Sequence, residues 1–439
     1  MSQQTTGDDA CQTSRESAVA RLAADDPQWL AAARRDALAA FEAAGLPARS
    51  QHLWRYTDPA RLLPGDREPT PAGQPFGDLP PDYHDGTFEH VAALALERDG
   101  RLLRTAVDES LADAGLLVCD LRTAAREHEA LVRPRLLSLT QPALDKFEAL
   151  SVALFTGGPF VRVPRGLAVE RPIRVAHRVG GDGLVASRAL VIVESGAEAT
   201  VVFDLSTASA EDAALFHTGT EVILEAGARL RLVTIQAAGR RLVHAPVVRC
   251  RVERDAALET VSVVLGGGLV KAQQTTELVG RGSEVKVLGI VFADGRQHLD
   301  HHTLQDHLTA HTSSDLDYRT VVADRARSAY TGNLRIGLEG SGADAHQRNH
   351  NLLLSERARA DTIPELEILT NDVSCSHAAA VGPLDEDQLY FCTSRGLSPA
   401  EAKKLIIAGF LEPVIARVPG EDLQLRVRTA LATRLEAVV

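Results

Sequence analysis

From about Phe160 to Glu367 the chain alternates apolar and polar residues in short runs, such as Arg229-Leu230-Arg231-Leu232-Val233 and Glu284-Val285-Lys286-Val287-Leu288, with Gly or Asp between them. Period two with β-branched content predicts strands. Small-residue corners precede successive strands at Ser195-Gly196-Ala197, Ala226-Gly227-Ala228, Asp255-Ala256-Ala257 and Arg281-Gly282-Ser283, offset by 31, 29 and 26 residues (196 to 227 to 256 to 282). Recurrence at that length suits a solenoid in which each coil covers the next one's apolar face. A sandwich would place turn signals every ~8–12 residues and needs no longer period. The fold class expected is therefore mainly β: a parallel β-helix core flanked by N-terminal and C-terminal helical domains.

Both flanks carry the helical period. Asp26 is the expected N-cap, with Pro27 in the first turn. Trp29, Leu30, Ala33, Ala37, Leu38 and Phe41 then recur at three and four until Gly45 and Pro47. Trp54-Arg55-Tyr56-Thr57 leads into a Pro/Gly-rich stretch from Pro59 to Pro81 that reads as a linker. At the other end Asp385 and Gln388 open a helix that closes near Gly396. Ser398-Pro399-Ala400-Glu401 forms a capping box, followed by Ala402, Leu405, Ile406, Gly409 and Phe410 on one side. A third helix is expected from Asp422 to Leu435. The chain divides into 1–80 (helical region and linker), 81–383 (core, coils mainly from about 156) and 384–439 (helical module).

Composition narrows the function. Asp+Glu total 59 against 47 Lys+Arg in 439 residues, a net charge of −12 that disfavours phosphate-backbone binding to nucleic acid. Aromatics are 4 %, so a 45 % apolar chain must build its core from Ala, Val, Leu and Ile. Five scattered cysteines do not describe a disulfide framework. No apolar run reaches the ~18 residues of a membrane span, and residues 1–9 lack the basic residue of a leader. A cytoplasmic protein is expected.

The densest chemistry is His298, Asp300, His301, His302, Asp306, His307, His311, Asp315 and Asp317. Imidazole and carboxylate are metal ligands, and on a strand His298, Asp300 and His302 share a face. The competing reading is a polar strand face whose imidazoles are satisfied by neighbours. A zincin is excluded, because the His307/His311 pair lacks the Glu of His-Glu-x-x-His. Gly340-Ser341-Gly342-Ala343-Asp344-Ala345 and Gly266-Gly267-Gly268-Leu269-Val270-Lys271 imitate nucleotide-binding loops without the strand-to-helix context or the Ser/Thr these need; both read as turns. In Cys375-Ser376-His377 the thiol and imidazole lie two apart and face the same way if extended. A neighbouring imidazolium would lower the thiol pKa, and the two groups are also iron–sulfur ligand types. A small buried Cys beside a hydrogen-bonded His is the alternative.

Several runs together carry a family resemblance: Asn351-Leu352-Leu353-Leu354-Ser355, Pro364-Glu365-Leu366-Glu367-Ile368, Asp372-Val373-Ser374-Cys375-Ser376-His377-Ala378-Ala379-Ala380-Val381-Gly382 and Leu384-Asp385-Glu386-Asp387-Gln388-Leu389-Tyr390-Phe391. With Trp54-Arg55-Tyr56-Thr57 and Phe155-Thr156-Gly157-Gly158-Pro159-Phe160-Val161 upstream, the chain resembles the SufB/SufD family of iron–sulfur cluster assembly proteins. It is closer to the SufD branch: Ser376-His377-Ala378-Ala379 lacks the flanking glutamates of the SufB branch, and Ala378 and Ala380 replace the branch's usual Gly and Thr. The resemblance implies a right-handed β-helix and a non-catalytic scaffold subunit paired with SufB, with a homodimer possible when alone. It also implies the ATPase SufC docked on the C-terminal helices around Tyr390, Arg395 and Gly396, with Leu405 and Phe410 more in the module core than in contact. An iron–sulfur cluster would be held only transiently, shared with SufB at an interface that includes His377 and, beside it, Cys375. Two other readings compete: a carbohydrate-active β-helix enzyme, and a metal-binding module using His298, His301, His302 and His307.

Overall fold

Every corner read from the sequence begins a strand. The computed structural model describes residues 2–70, 90–140 and 145–439, with side chains from residue 12. Glu198–Thr207, Arg229–Gln236, Ala257–Val264 and Glu284–Ala293 follow the four corners and pair in parallel, with Glu198, Arg229, Ala257 and Glu284 in register. The corner is repeated before Ser313–Val322 and Ala343–Leu353. In all six coils it holds a residue at positive φ, namely Gly196, Gly227, Asp255, Gly282, His311 and Gly342. Each is followed by a small buried residue: Ala197, Ala228, Ala256, Ser283, Thr312 and Ala343. Glycine enters the left-handed region at no steric cost, which is why it holds four of the six positions.

Between corners the chain crosses to a second sheet. The strands alternate between a ten-stranded and a nine-stranded sheet, giving a parallel β-solenoid of about eight turns. Two antiparallel pairs start it, Ala93–Arg98 with Arg101–Val107 and Leu117–Asp120 with Pro159–Val163. The lumen is filled by short aliphatics such as Val191, Val222, Leu230, Val252 and Val287. Each fully buried Val or Leu contributes about 1.5–3 kcal/mol, so stacking such residues over many coils replaces the aromatic core this sequence lacks.

The outer face of the nine-stranded sheet is covered by the N-terminal region, where Leu30, Phe41, Trp54, Phe147 and Leu150 meet Leu184, Leu190, Leu215 and Leu269. The helix Gln28–Ala43 starts one residue later than expected, with Pro27 as its cap. Asp26 is drawn away because two guanidiniums, Arg34 and Arg122, each reach its carboxylate at 2.6 Å; paired charges in a buried place outbid two amide donors. Of the linker expected from Pro59 to Pro81, Pro59–Leu62 forms a short 3-10 turn capped by Asp58. Residues 71–89, and with them the boundary expected at 80/81, lie outside the described residues.

The ten-stranded sheet's outer face carries Pro399–Ile415 and Glu421–Val438, whose Ile407, Leu411, Val414, Val427, Leu431 and Leu435 meet Val202, Val233, Ile235, Val261, Ile290 and Phe292. Three arginines on or between these helices reach acidic residues of the sheet and its turns: Arg417 to Glu259, Arg426 to Asp204, and Arg434 to Asp294. The Ser398/Glu401 capping box forms in both directions. The buried stripe of that helix is rotated from the one expected. Ile407, Leu411 and Val414 face the sheet, while Leu405 is 56 % exposed and Phe410 only partly covered. Leu405 is therefore not a core residue.

Candidate functional site at the open end of the solenoid

The last two strands, Arg359–Ile368 and Val373–Pro383, each close one sheet and are paired along one edge only. A free edge offers unpaired amides and carbonyls to another chain. Leu366, Ile368, Leu369 and Val381 stand exposed on or beside these strands, apolar surface at an edge where another strand could add.

His377 lies on this edge strand, exposed. Register places Cys375 over Ala345 and His377 over Gln347, both buried, so thiol and imidazole share the inner face as their spacing suggested. The thiol is not activated. Cys375 packs against Leu334, Ile336, Ala343 and Ala345, and burial, reinforced by Asp344, pushes its pKa up rather than down. On the outer face His346 Nδ1 meets Ser376 Oγ at 2.6 Å while its Nε2 lies 2.9 Å from Asp344.

Leu384 and Asp385 alone separate the edge strand from the helix Glu386–Ser394, which has no buried residue. Asp385 caps it through the Gln388 amide at 3.0 Å. Tyr390 (75 % exposed) and Phe391 project from it, the Arg395 guanidinium lies 4.8 Å from the centre of the Phe391 ring, and Gly396 ends the segment at φ 96°. Arg395 and Gly396 thus stand at the C-terminal end of an exposed helix on which Tyr390 and Phe391 are neighbours. Among the described residues Tyr390 and Phe391 are also the exposed large aromatics, and they sit on a helix, not on the strand face a sugar-stacking enzyme would need.

The histidine-rich strand, His298–His307, resolves differently. His298, Asp300 and His302 do share a face, turned toward the N-terminal region. There Asp300 meets Lys271 Nζ at 2.9 Å, His302 Nε2 at 2.9 Å and the Thr57 hydroxyl, which also lies 2.9 Å from His298 Nε2. Burial works against the charged carboxyl, but Lys271, His302 and Thr57 hold it far below the usual range. Trp54 caps the group, its ring 5.4 Å from Lys271 Nζ. His301 and His307 point into the lumen. His307 is bonded at both ring nitrogens, to Thr312 (2.7 Å) and Ser314 (2.9 Å), and burial lowers both imidazoles to about 4. The four histidines expected as a metal set are therefore split between two faces of one strand. No cluster of three metal-ligating side chains occurs among the described residues. Thr57 and Lys271, which complete the network, stood in the sequence only within a family run and at the end of a glycine-rich segment, with nothing to join them to Asp300; they lie 243 and 29 residues from it. The two glycine-rich segments are connections between strands, as expected: Gly266 to Gly268 precedes Leu269–Leu278 and Gly340 to Gly342 precedes Ala343–Leu353.

Comparison with known proteins settles the family. The model for the SufBD core domain of the SUF system of FeS cluster assembly matches residues 177–410, and that for the SufBD protein N-terminal region matches residues 15–175. The chain belongs to the SufBD family. It is 28 % identical to the iron–sulfur cluster assembly protein SufB of Bacillus subtilis over 76 % of this chain and 72 % of that protein. An iron–sulfur cluster assembly SufBD family protein of Mycobacterium tuberculosis is 31 % identical over 66 % of this chain and 75 % of its own length. One of Staphylococcus epidermidis is 27 % identical over 76 % and 72 %. This SufBD protein thus works in iron–sulfur cluster assembly. No helix among its described residues is long and apolar enough to cross a membrane.

Proposed function

We propose that this SufBD protein is a SufD-type scaffold subunit: it joins SufB through its open end, carries SufC on its C-terminal helices, and contributes His377 to the seam where the cluster, as cargo, is built. The observation that carries this reading is an exposed imidazole on a strand whose outer edge is unpaired, at an end of the solenoid where Leu366, Ile368, Leu369 and Val381 are also exposed. The SufD assignment rests on Ser376-His377-Ala378-Ala379 lacking the flanking glutamates of SufB. Cys375 is the secondary candidate, as a neutral thiol and not as an activated sulfur carrier.

Exposed Tyr390 and Phe391 beside Arg395 suit an aromatic and cationic docking patch. SufC can change the seam only if its ATP-bound form prefers one arrangement of the pair over the other. The direct continuation from the edge strand into the docking helix supplies the link between the two. Two measurements test the reading. The chain co-expressed with SufB and SufC is expected to co-purify with both, and His377→Ala is expected to keep that assembly while losing cluster formation. Normal cluster yield from His377→Ala would remove the assigned role, and a stable homodimer that excludes SufB would remove the partnership.

A further inference from the structure

Just beneath the open end, three alternate residues of Ala343–Leu353 place amide side chains on the inner face: Gln347, Asn349 and Asn351, all buried. Elsewhere the lumen is mainly aliphatic. The fold uses the nitrogen of each and leaves two of the oxygens, Asn351 Oδ1 and Gln347 Oε1, buried without a partner. Asn349 donates to the Tyr318 carbonyl at 3.3 Å; Asn351 donates to Asn349 Oδ1 at 2.7 Å and to the Ala380 carbonyl at 3.1 Å. Gln347 is only half used. Its Nε2 donates to the Gly332 carbonyl at 3.2 Å, while its Oε1 is buried without a partner. The Gly332 carbonyl can only accept, so it fixes which end of the amide is nitrogen and leaves the orphan as an acceptor. Gly332 also makes this pose possible, since a Cβ there would come within 2.6 Å of Oε1.

The residue in register above Gln347 is His377. Neighbouring strands run about 4.8 Å apart, both side chains occupy the inner face, and His377 makes no hydrogen bond among the described residues. A buried acceptor lacking a donor thus sits in register with an imidazole that makes no hydrogen bond to the described residues.

We propose that Gln347 is the positioning residue for His377: its Oε1 accepts one imidazole N–H, fixes the tautomer, and turns the lone pair of the other ring nitrogen out of the open end. This rests on the role proposed for His377. A neutral imidazole binds a metal through that lone pair, and the hydrogen bond at the opposite nitrogen decides which atom presents it. An amide suits the task better than a carboxylate, because an anion there would favour the imidazolium, which has no lone pair to offer.

The test uses the full chain with ¹⁵N-labelled histidine, following the His377 ring nitrogens through a pH titration. One tautomer is expected to dominate in the parent, and Gln347→Leu is expected to give a mixture. Gln347→Glu should tighten proton binding at His377 about tenfold. Should Gln347→Leu fail to fold, Gln347→Met keeps the side-chain length and removes the acceptor. In the complex with SufB and SufC, the Leu or Met variant should lower cluster yield about tenfold with co-purification unchanged. Unaltered His377 ring signals in the Leu, Met and Glu variants would overturn the proposal. If the signals respond as expected but His377→Ala still supports normal cluster formation, the positioning role stands and the proposed function falls.

Discussion

Two groups of histidines on this solenoid show what burial does to one residue type. On His298–His307 the imidazoles are enclosed: His298 is bonded to Thr57, His307 to Thr312 and Ser314, and His302 lies 2.9 Å from Asp300, while burial holds His301 and His307, which face the lumen, neutral. On Val373–Pro383 a single imidazole stands exposed at an unpaired edge. Density of ligating residues along the chain pointed to the first group; the topology leaves the second exposed on an edge strand. His307 has spent both ring nitrogens on the fold, and the other imidazoles of that strand are divided between two faces, so that among the described residues no three ligating groups converge.

The contrast can be broken most forcefully at Lys271. Lys271→Ala leaves Asp300 buried without its cation, and a loss of about 3–5 kcal/mol in unfolding free energy is expected, read from urea melts. A loss under 1 kcal/mol would mean that the network is solvated and free to bind. Acid should act next. His301 and His307 titrate near 4 in the fold but near 6.5 in the unfolded chain. The unfolded chain therefore binds protons the fold excludes, so their stabilisation is whole above about pH 6.5 and is lost as pH falls toward 4. His301→Gln should flatten that slope by up to one proton; an unchanged slope would place the titration elsewhere. In the lumen, Gly289→Ala would bring a Cβ within 2.4 Å of the Tyr318 ring, and overpacking of this kind costs about 1–3 kcal/mol, visible as a lower Tm. At the open end the same melts should barely move. Val381→Lys and His377→Ala are each expected to stay within about 0.5 kcal/mol of the parent, while Val381→Lys abolishes co-purification with SufB. A large drop in Tm for either would show that the edge serves the fold.

The corners were legible because they are local: a left-handed residue followed by a small one is a demand each coil makes on two adjacent positions. Cys375 and His377 could be put on one face from the two-residue period alone. What escaped were choices between partners. Asp26 is a good cap until Arg34 and Arg122 arrive, Leu405 fits an apolar stripe until the sheet selects the one through Ile407, and Trp54 seals the Asp300 network from far along the chain. Ala93–Arg98, Arg101–Val107 and the helix Lys146–Leu154 were not read at all, being too short to display a period.

Only Leu384 and Asp385 stand between the helix Glu386–Ser394 and the edge strand, while Arg417, Arg426 and Arg434 moor the two later helices to the sheet. A tug on the first helix therefore travels along the backbone of Val373–Pro383, parallel to its ladder with Ala343–Leu353. Loaded in that direction the rungs bear the force together, in shear, and do not peel open one after another. The strand would yield by sliding as a unit, carrying position 377 with it.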